Sequence, residues 1–399
     1  MQNILQLPDV KKDKLPTPDI LVISRTFFPK EGGIEEYAYN RCLQDPERII
    51  LLAASYPGDV AFDAVQPFRI YRWQILTFLP SGKFGSILKQ IVNMICSFFL
   101  AIKLYFRYRY RYIEWAHGYD FPSLLLLTYI LPIQCFIYLH GNDVLCPVKN
   151  PVLRSLFEWT VNRCTGIVCN STFTKDYLHA HCQCTTPTHI INPSVRPTKF
   201  HFGHATQARS SLRSKYGISE TAVVILTVGR LVKRKGFNQV IENLPLLLAD
   251  GLDVHYLICG RGAMAEELKS LSENLGVAEK VHFAGYVSNE DLGDYYTACD
   301  LFAMFTFFDT EATSIEGFGI VYLEAGYFGK PVIASRVGGV TDAVHHLSNG
   351  ILVDPDNSEI TEGLRQLCTD RQLRDRLGRK GQELANRKTP HSILYPTQH

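Results

Sequence analysis

Ala222-Val-Val-Ile-Leu-Thr-Val228-Gly229-Arg-Leu-Val-Lys-Arg-Lys-Gly236 is an apolar run that stops at a glycine and at once turns basic. A stretch rich in Val and Ile, without polar alternation, reads as a strand covered on both faces, which is the condition of a parallel sheet. The glycine loop behind it opens a helical pattern. The same unit recurs. Val254–Cys259 runs into Gly260-Arg-Gly262, and Val281–Ala284, Leu301–Phe305, Pro331–Ala334 and Gly350–Val353 read as further strands separated by helices. Toward the N-terminus, strands are expected at Ile20–Ile23, Arg48–Ala53, Phe68–Arg72, Tyr112–Trp115, Cys135–His140, Gly166–Cys169 and His189–Ile191. Strands alternating with helices predict an α/β fold of two parallel sheets. With 399 residues, 46% of them hydrophobic, the chain can fill two cores. Expected divisions are an N-terminal extension 1–17, a first domain 18–195, a linker 196–217, a second domain 218–385 and an atypical tail 386–399. The stretch from Pro193 to Gly217 lacks periodicity and is rich in Pro, Ser, His and basic residues, as a linker should be.

The net charge is only +2, so nothing global points to nucleic acid as a partner. Eleven scattered cysteines, in a chain too long to need staples, favour reduced thiols and a cytoplasmic location. Lys11, Lys12 and Lys14 are followed by no apolar stretch in signal-peptide register. Ile91–Phe106 is apolar but short and broken by Asn93 and Lys103, which predicts an amphipathic helix rather than a membrane span. Phe121–Leu139 contains Pro122, Pro132 and Gln134, and is expected to form a helix, a break and a buried strand. Lys103-Leu-Tyr-Phe-Arg-Tyr-Arg-Tyr-Arg-Tyr112 interleaves cations with aromatics. It suits peripheral contact with anionic headgroups on the cytoplasmic face of the inner membrane, or equally a solvated helix face with tyrosines packed beneath.

In open parallel sheets, ligands bind beyond the carboxyl ends of the strands. The loops to inspect are therefore Glu31–Ile34, His117–Asp120, His140–Asp143, Gly229–Gly236 and Glu316–Gly319. Gly229–Gly236 carries four cations in six positions. Arginine offers a planar fork and lysine a compact charge, a combination that holds a diphosphate, although a solvated basic loop would look the same. Glu316-Gly-Phe-Gly-Ile-Val-Tyr-Leu-Glu324 brackets a glycine turn with two acids, the second expected about two helical turns inside. The turn can present free amides to an anion, and the acids can accept hydrogen bonds from hydroxyls at two parts of one ligand. An ordinary helix start would also read this way. No Gly-Lys-Ser/Thr run with the spacing of a phosphate-binding loop of nucleotide hydrolases occurs. Asp354-Pro-Asp356 offers two carboxylates to a metal, but it falls in a proline turn. His179-Ala-His-Cys-Gln-Cys184 is dense in zinc ligands, yet its spacing fits a surface turn better than a finger. His117 and Asp120 suit either acceptor contact or a helix-capping turn.

Glu316 and Glu324 as Glu-x7-Glu, the Gly-Arg-x4-Lys-Gly loop, Gly-Gly-Ile at 32–34, His140-Gly-Asn-Asp143, Asn170-Ser171 and Gly-Lys-Pro-Val at 329–332 together resemble the retaining glycosyltransferases of family four, over about residues 18–385. The resemblance implies the GT-B architecture: two Rossmann-like domains across a cleft, with a nucleotide-diphosphate sugar bound mainly by the second. It implies that Arg230 and Lys235 bind the diphosphate, Glu316 the transferred sugar and Glu324 the ribose. Amides of Gly317, Phe318, Gly319 and Ile320 would reach phosphate or sugar, and Gly229, Gly32 and Gly33 would shape loops around the diphosphate. His140 would lie beside the reacting sugar, Gly260, Arg261 and Tyr286 would flank the base, and Asp143 would join His117 and Asp120 on the acceptor side. Retention of configuration and no metal requirement follow by the same resemblance, while the basic aromatic segment and the apolar helices of the first half favour a glycan or lipid-linked acceptor. A catalytically silent nucleotide-sugar-binding subunit and a glycan phosphorylase are the rival readings. Asn192-Pro-Ser-Val195 replaces the more usual Asn-Gly-Val-Asp, and the chain after about Ala385 lacks the expected helix crossing back to the first domain.

Overall fold

The computed structural model describes residues 17–74, 82–201, 205–354, 357–387 and 389–395. These divide into a first unit within Met1–Asn192 plus Thr389–His399 and a second within Pro193–Lys388. The expected extension with Lys11, Lys12 and Lys14 lies outside the described residues, as does Asp356 of the acidic pair.

The first unit is built on β1 (Ile20–Ser24), β2 (Ile49–Ala54), β3 (Arg69–Trp73), β4 (Tyr112–Trp115), β5 (Gln134–Leu139), β6 (Gly166–Cys169) and β7 (Thr188–Ile190). All pair in parallel in the order β3-β2-β1-β4-β5-β6-β7. The second unit uses β8 (Val223–Val228), β9 (Val254–Cys259), β10 (Val281–Gly285), β11 (Leu301–Met304), β12 (Val332–Ser335) and β13 (Gly350–Val353), again parallel, ordered β10-β9-β8-β11-β12-β13. Every strand expected from the sequence is present, displaced by at most two residues at an end, where assignment is always soft. In each sheet the winding reverses beside its first strand, between β1 and β4 and between β8 and β11. The loops leaving those strands splay apart there and open a crevice.

Alternation explains the two-sided cores. Leu21 and Ile23 of β1 pack with Ile113 and Trp115 of β4 on one face, and Ile20 and Val22 pack with Ile49 and Leu51 of β2 on the other. The helix predicted over 91–106 proves longer: Lys83–Tyr108, with 26 residues. Its window Ile87–Tyr108 is long and apolar enough to cross a membrane by length and composition, which corrects the expectation of a short segment. One row, Cys96, Leu100, Ala101 and Leu104, is buried in the sheet's core, so Asn93 and Lys103 do not interrupt it. Phe121–Leu139 resolves as expected into helix Phe121–Ile130, a break at Pro132 and strand β5.

The described tail residues, 389–395, group with the first unit and hold a single turn of 3-10 helix, His391–Leu394. Gln44 Oε1 accepts from the backbone N–H of His391 at 3.1 Å and faces its Nδ1 at 3.0 Å. The Tyr395 hydroxyl donates to Glu114 on β4. Glu114 is fully buried, and its carboxylate accepts from Arg41 Nε at 2.9 Å, Arg41 Nη2 at 2.7 Å and the Tyr138 hydroxyl at 2.8 Å. Burial alone would raise the Glu114 pKa, and the Arg41 charge overrides it to hold the carboxyl low.

Candidate active site

Strand β8 ends at Val228, and the basic loop behind it makes one 3-10 turn, Lys233–Lys235. Gly236 closes that turn at φ +65°, where a β-carbon would stand 2.0 Å from the carbonyl oxygen of Phe305, so only glycine lets the loop lie on the end of β11. Phe307 N–H then donates to the Arg234 carbonyl at 3.1 Å. This stitching carries two cations onto one acid: Glu316 Oε2 accepts from Arg234 Nη1 at 3.0 Å and from Lys235 Nζ at 2.8 Å. Glu316 itself sits in an extended loop that becomes helix only at Ile320, because Gly319 holds φ +85° with a β-carbon position 2.4 Å from the Tyr322 ring.

The charges do not balance. Burial would raise the Glu316 carboxyl, but Lys235 and Arg234 pull it down to about 2. The Lys235 ammonium is also lowered: burial and its cationic neighbours Arg234 and Arg230 outweigh Glu316. Two cations thus share one carboxylate, and a third, Arg230, is exposed on the same loop. An excess of positive charge beside a helix N-terminus favours a multiply charged anion. Arg234 was not singled out from the sequence; its signal was only its place beside Lys235.

Because the helix begins at Ile320, Glu324 lies little more than one turn inside it, which corrects the expected two turns. It is 1% exposed. Lys199 Nζ meets its Oε1 at 2.6 Å and the Tyr296 hydroxyl donates to its Oε2 at 2.9 Å. Phe318 is buried in the core, so its backbone alone is left for a ligand. Arg261 lies over the exposed Tyr286 ring, 5.4 Å from its centroid. Their loops are sewn to the basic loop: Gly260 N–H donates to Gly285 at 2.7 Å, Gly229 N–H to Cys259 at 2.9 Å and Leu231 N–H to Arg261 at 3.0 Å. Gly229, Gly260, Arg261 and Tyr286 therefore form one rim.

In the first unit, Asp143 gathers the loops behind β4 and β5. Its two oxygens accept from Gly118 N–H at 2.7 Å and His140 N–H at 2.8 Å. That makes it a brace of the backbone, buried and spent on the protein itself. His140 Nε2 lies 2.8 Å from the Ala116 carbonyl and so donates to it, which holds the ring at the end of β5. His117 and Asp120 are buried too. His117 Nε2 accepts the Arg25 N–H at 2.8 Å, and burial followed by the nearby Arg25 and His140 charges lowers its pKa to about 3, so the ring is neutral. Asp120 pairs with Arg25 at 3.3 Å, and burial pushes its carboxyl up to about 6. Gly32 precedes helix Gly33–Gln44 and lies against the Glu35 carboxylate, which accepts from the Thr26 hydroxyl; a β-carbon on Gly33 would meet open space.

Among the described residues no group of three or more His, Cys, Asp or Glu side chains is placed to hold a metal ion. The His179–Cys184 stretch follows the end of helix Thr172–His181, with His181 stacked on Tyr177 at 4.0 Å and His179 Nε2 3.1 Å from the Thr188 hydroxyl.

Residues 32–199 match the family described as Glycosyltransferase Family 4, and residues 208–384 the family described as Glycosyl transferases group 1. A GDP-mannose-dependent alpha-(1-6)-phosphatidylinositol monomannoside mannosyltransferase of Mycolicibacterium smegmatis is 26% identical over 92% of this chain and 93% of its own length. The GDP-mannose-dependent monoacylated alpha-(1-6)-phosphatidylinositol monomannoside mannosyltransferase of Corynebacterium glutamicum is 28% identical over 90% and 91%. Among solved structures, sucrose-phosphate synthase of Thermosynechococcus elongatus superposes with a TM-score of 0.76, covering 94% of this chain and 96% of that one at 19% identity. Anabaena HepE in complex with UDP and glucose gives 0.73, covering 94% and 97% at 19% identity. The two parallel sheets and both matched halves place this chain in the family four, group 1 glycosyltransferases of GT-B type.

Proposed function

We propose that the protein moves a hexosyl group from a nucleotide-diphosphate sugar to a hydroxyl of a lipid-linked or polysaccharide acceptor, with retention of configuration and without a metal ion. The observation that carries this reading is the Glu316 carboxylate bridging Arg234 and Lys235, beside the exposed Arg230. A diphosphate bound there meets Lys235, Arg234 and Arg230, while Glu316 turns to hydroxyls of the sugar. In the step proposed, the bond from the anomeric carbon to the diphosphate oxygen breaks. The acceptor oxygen bonds to that carbon on the same face and gives its proton to the departing phosphate. Charge stabilisation of the leaving group then dominates, so no side-chain base is assigned. His140 Nδ1 accepts from a sugar hydroxyl.

GDP-mannose is the first donor to try, since the two mannosyltransferases named above depend on it. A thermal-shift screen of GDP-, UDP- and ADP-sugars identifies the donor, because a ligand bound only by the folded state raises its stability. With that donor and a phosphoinositide-type acceptor, Lys235→Ala should lower turnover about 10²–10³-fold with little change in melting temperature, and a chelator should leave the rate unchanged. Unaltered turnover in Lys235→Ala would sink the clamp. A product of inverted configuration would sink the mechanism, and sugar phosphate released from glycan and inorganic phosphate would favour a phosphorylase.

The acceptor side draws support from helix Lys83–Tyr108. Ile87, Ile91, Ile95 and Phe99, four residues apart, form an exposed apolar row opposite the buried one. Arg109 lies over Tyr105 and Phe106 at the same helix's end, at 5.3 and 5.2 Å. We assign this row to peripheral docking on an anionic leaflet. Replacing Ile91 and Ile95 together by Asp should abolish co-sedimentation with phosphatidylglycerol vesicles while leaving nucleotide binding intact.

A further inference from the structure

Glu324 cannot be met by a ligand in isolation, since its carboxylate lies beneath the ammonium of Lys199. That lysine belongs to the segment that opens the second unit, in the 3-10 turn Pro197–Lys199. The segment is fastened down. Phe200 is wedged among Tyr296, Tyr327 and Phe328, with ring centroids at 6.1, 6.4 and 5.0 Å, and His201 N–H donates to the Glu290 carbonyl at 3.3 Å. A β-carbon on Gly293 would stand 2.9 Å from the His201 carbonyl, so the segment lies directly on helix Leu292–Ala298. Lys199 is therefore a held lysine. Its side chain is 12% exposed and that of Glu324 1%, so the pair reaches solvent through the lysine.

A carboxylate accepts about four hydrogen bonds, and Lys199 and Tyr296 use one on each oxygen, which leaves capacity on both. We propose that Lys199 is a positioning residue of the donor's ribose subsite, holding the Glu324 carboxylate oriented so that its remaining acceptor capacity takes the cis-diol of a nucleoside diphosphate. This rests on the reading of the Glu316 loop as the donor site. Seven residues lie between Glu316 and Glu324 on one loop and helix, which lets the two acids serve the sugar and the ribose of one ligand. Without the Lys199 contact the carboxylate is free to turn away from the diol.

The test is calorimetric titration with GDP, UDP and ADP, carrying the tightest binder forward together with its 2′-deoxy form. The wild type should prefer the ribonucleotide. Lys199→Gln should weaken the ribonucleotide on the order of tenfold, leave the 2′-deoxy form nearly unchanged, and have no further effect in a Glu324→Gln background. A purely structural role would lower the melting temperature with the ribose preference intact, and that outcome overturns the inference. So does additivity of the two substitutions. If Lys199→Gln does not fold, Lys199→Arg decides: a ribose preference kept within about threefold supports the assignment, and its disappearance overturns it. Failure of the wild type to bind any of the three diphosphates instead brings down the donor-site reading itself.

Discussion

Glu114, buried, and Glu316, half-buried, are two acids each paired with arginine, and they serve opposite ends. Around Glu114 the acid is saturated by Arg41, Tyr138 and Tyr395, and the chain's own tail closes the last side. Around Glu316 the donors outnumber the acceptor, in a loop at the carboxyl end of a sheet with Arg230 exposed beside it. A closed network holds a fold together, whereas an open one with surplus charge waits for a ligand. The same ion-pair chemistry therefore gives structure in one place and a site in the other, according to whether every charge already has its partner.

Substitution should separate the two most sharply. Glu114→Gln leaves the buried Arg41 with only the more exposed Asp45, at 2.7 Å, as a counter-charge, and should cost about 3–5 kcal/mol in urea unfolding of the first unit while the folded fraction keeps its nucleotide affinity. If nucleotide affinity fell with it, the contrast with Glu316 would be broken. Ending the chain after Lys388 removes Tyr395 and His391 from that network. Its cost should be smaller, about 1–3 kcal/mol, and confined to the transition of the first unit followed by near-ultraviolet circular dichroism. Acid should then expose Glu316. Its carboxyl lies at about 2 in the folded protein against an ordinary 4.5, so its contribution is complete above about 4.5 and is lost as the pH falls toward 2. The difference in unfolding free energy between wild type and Glu316→Gln should shrink across that window. A difference constant between pH 5 and 3 would mean that the cations do not hold this acid.

Much of this was legible in advance, and the legible parts share a cause. Strands such as Ala222–Val228 announce themselves because burial on both faces demands an unbroken apolar run, and the glycines behind them announce loops because no other residue fits there. The basic loop and the Glu316 turn were visible as motifs. Glu114 was not. It is one acid in a four-residue strand, and its partners come from positions 41, 138 and 395, a set that no local pattern contains. Lys199 was equally hidden, since a lysine in a proline-rich linker looks solvated until Phe200 pins it to Tyr296. The length of helix Lys83–Tyr108 escaped because Asn93 and Lys103 read as interruptions. In the structure Asn93 accepts from the Trp73 indole at 2.9 Å and Lys103 is exposed, so neither breaks the buried row.

By itself, the sequence determined the alternation of strand and helix, the two cores and the loops that end at carboxyl edges, because these depend on hydrophobic period and on backbone freedom at glycine. Only the tertiary structure decided which charges meet. It set Arg234 with Lys235 on Glu316, put Lys199 over Glu324, used Asp143 as a backbone brace and returned the tail to Glu114. Electrostatic partnership falls steeply with distance and depends on burial, and both are properties of the folded chain alone.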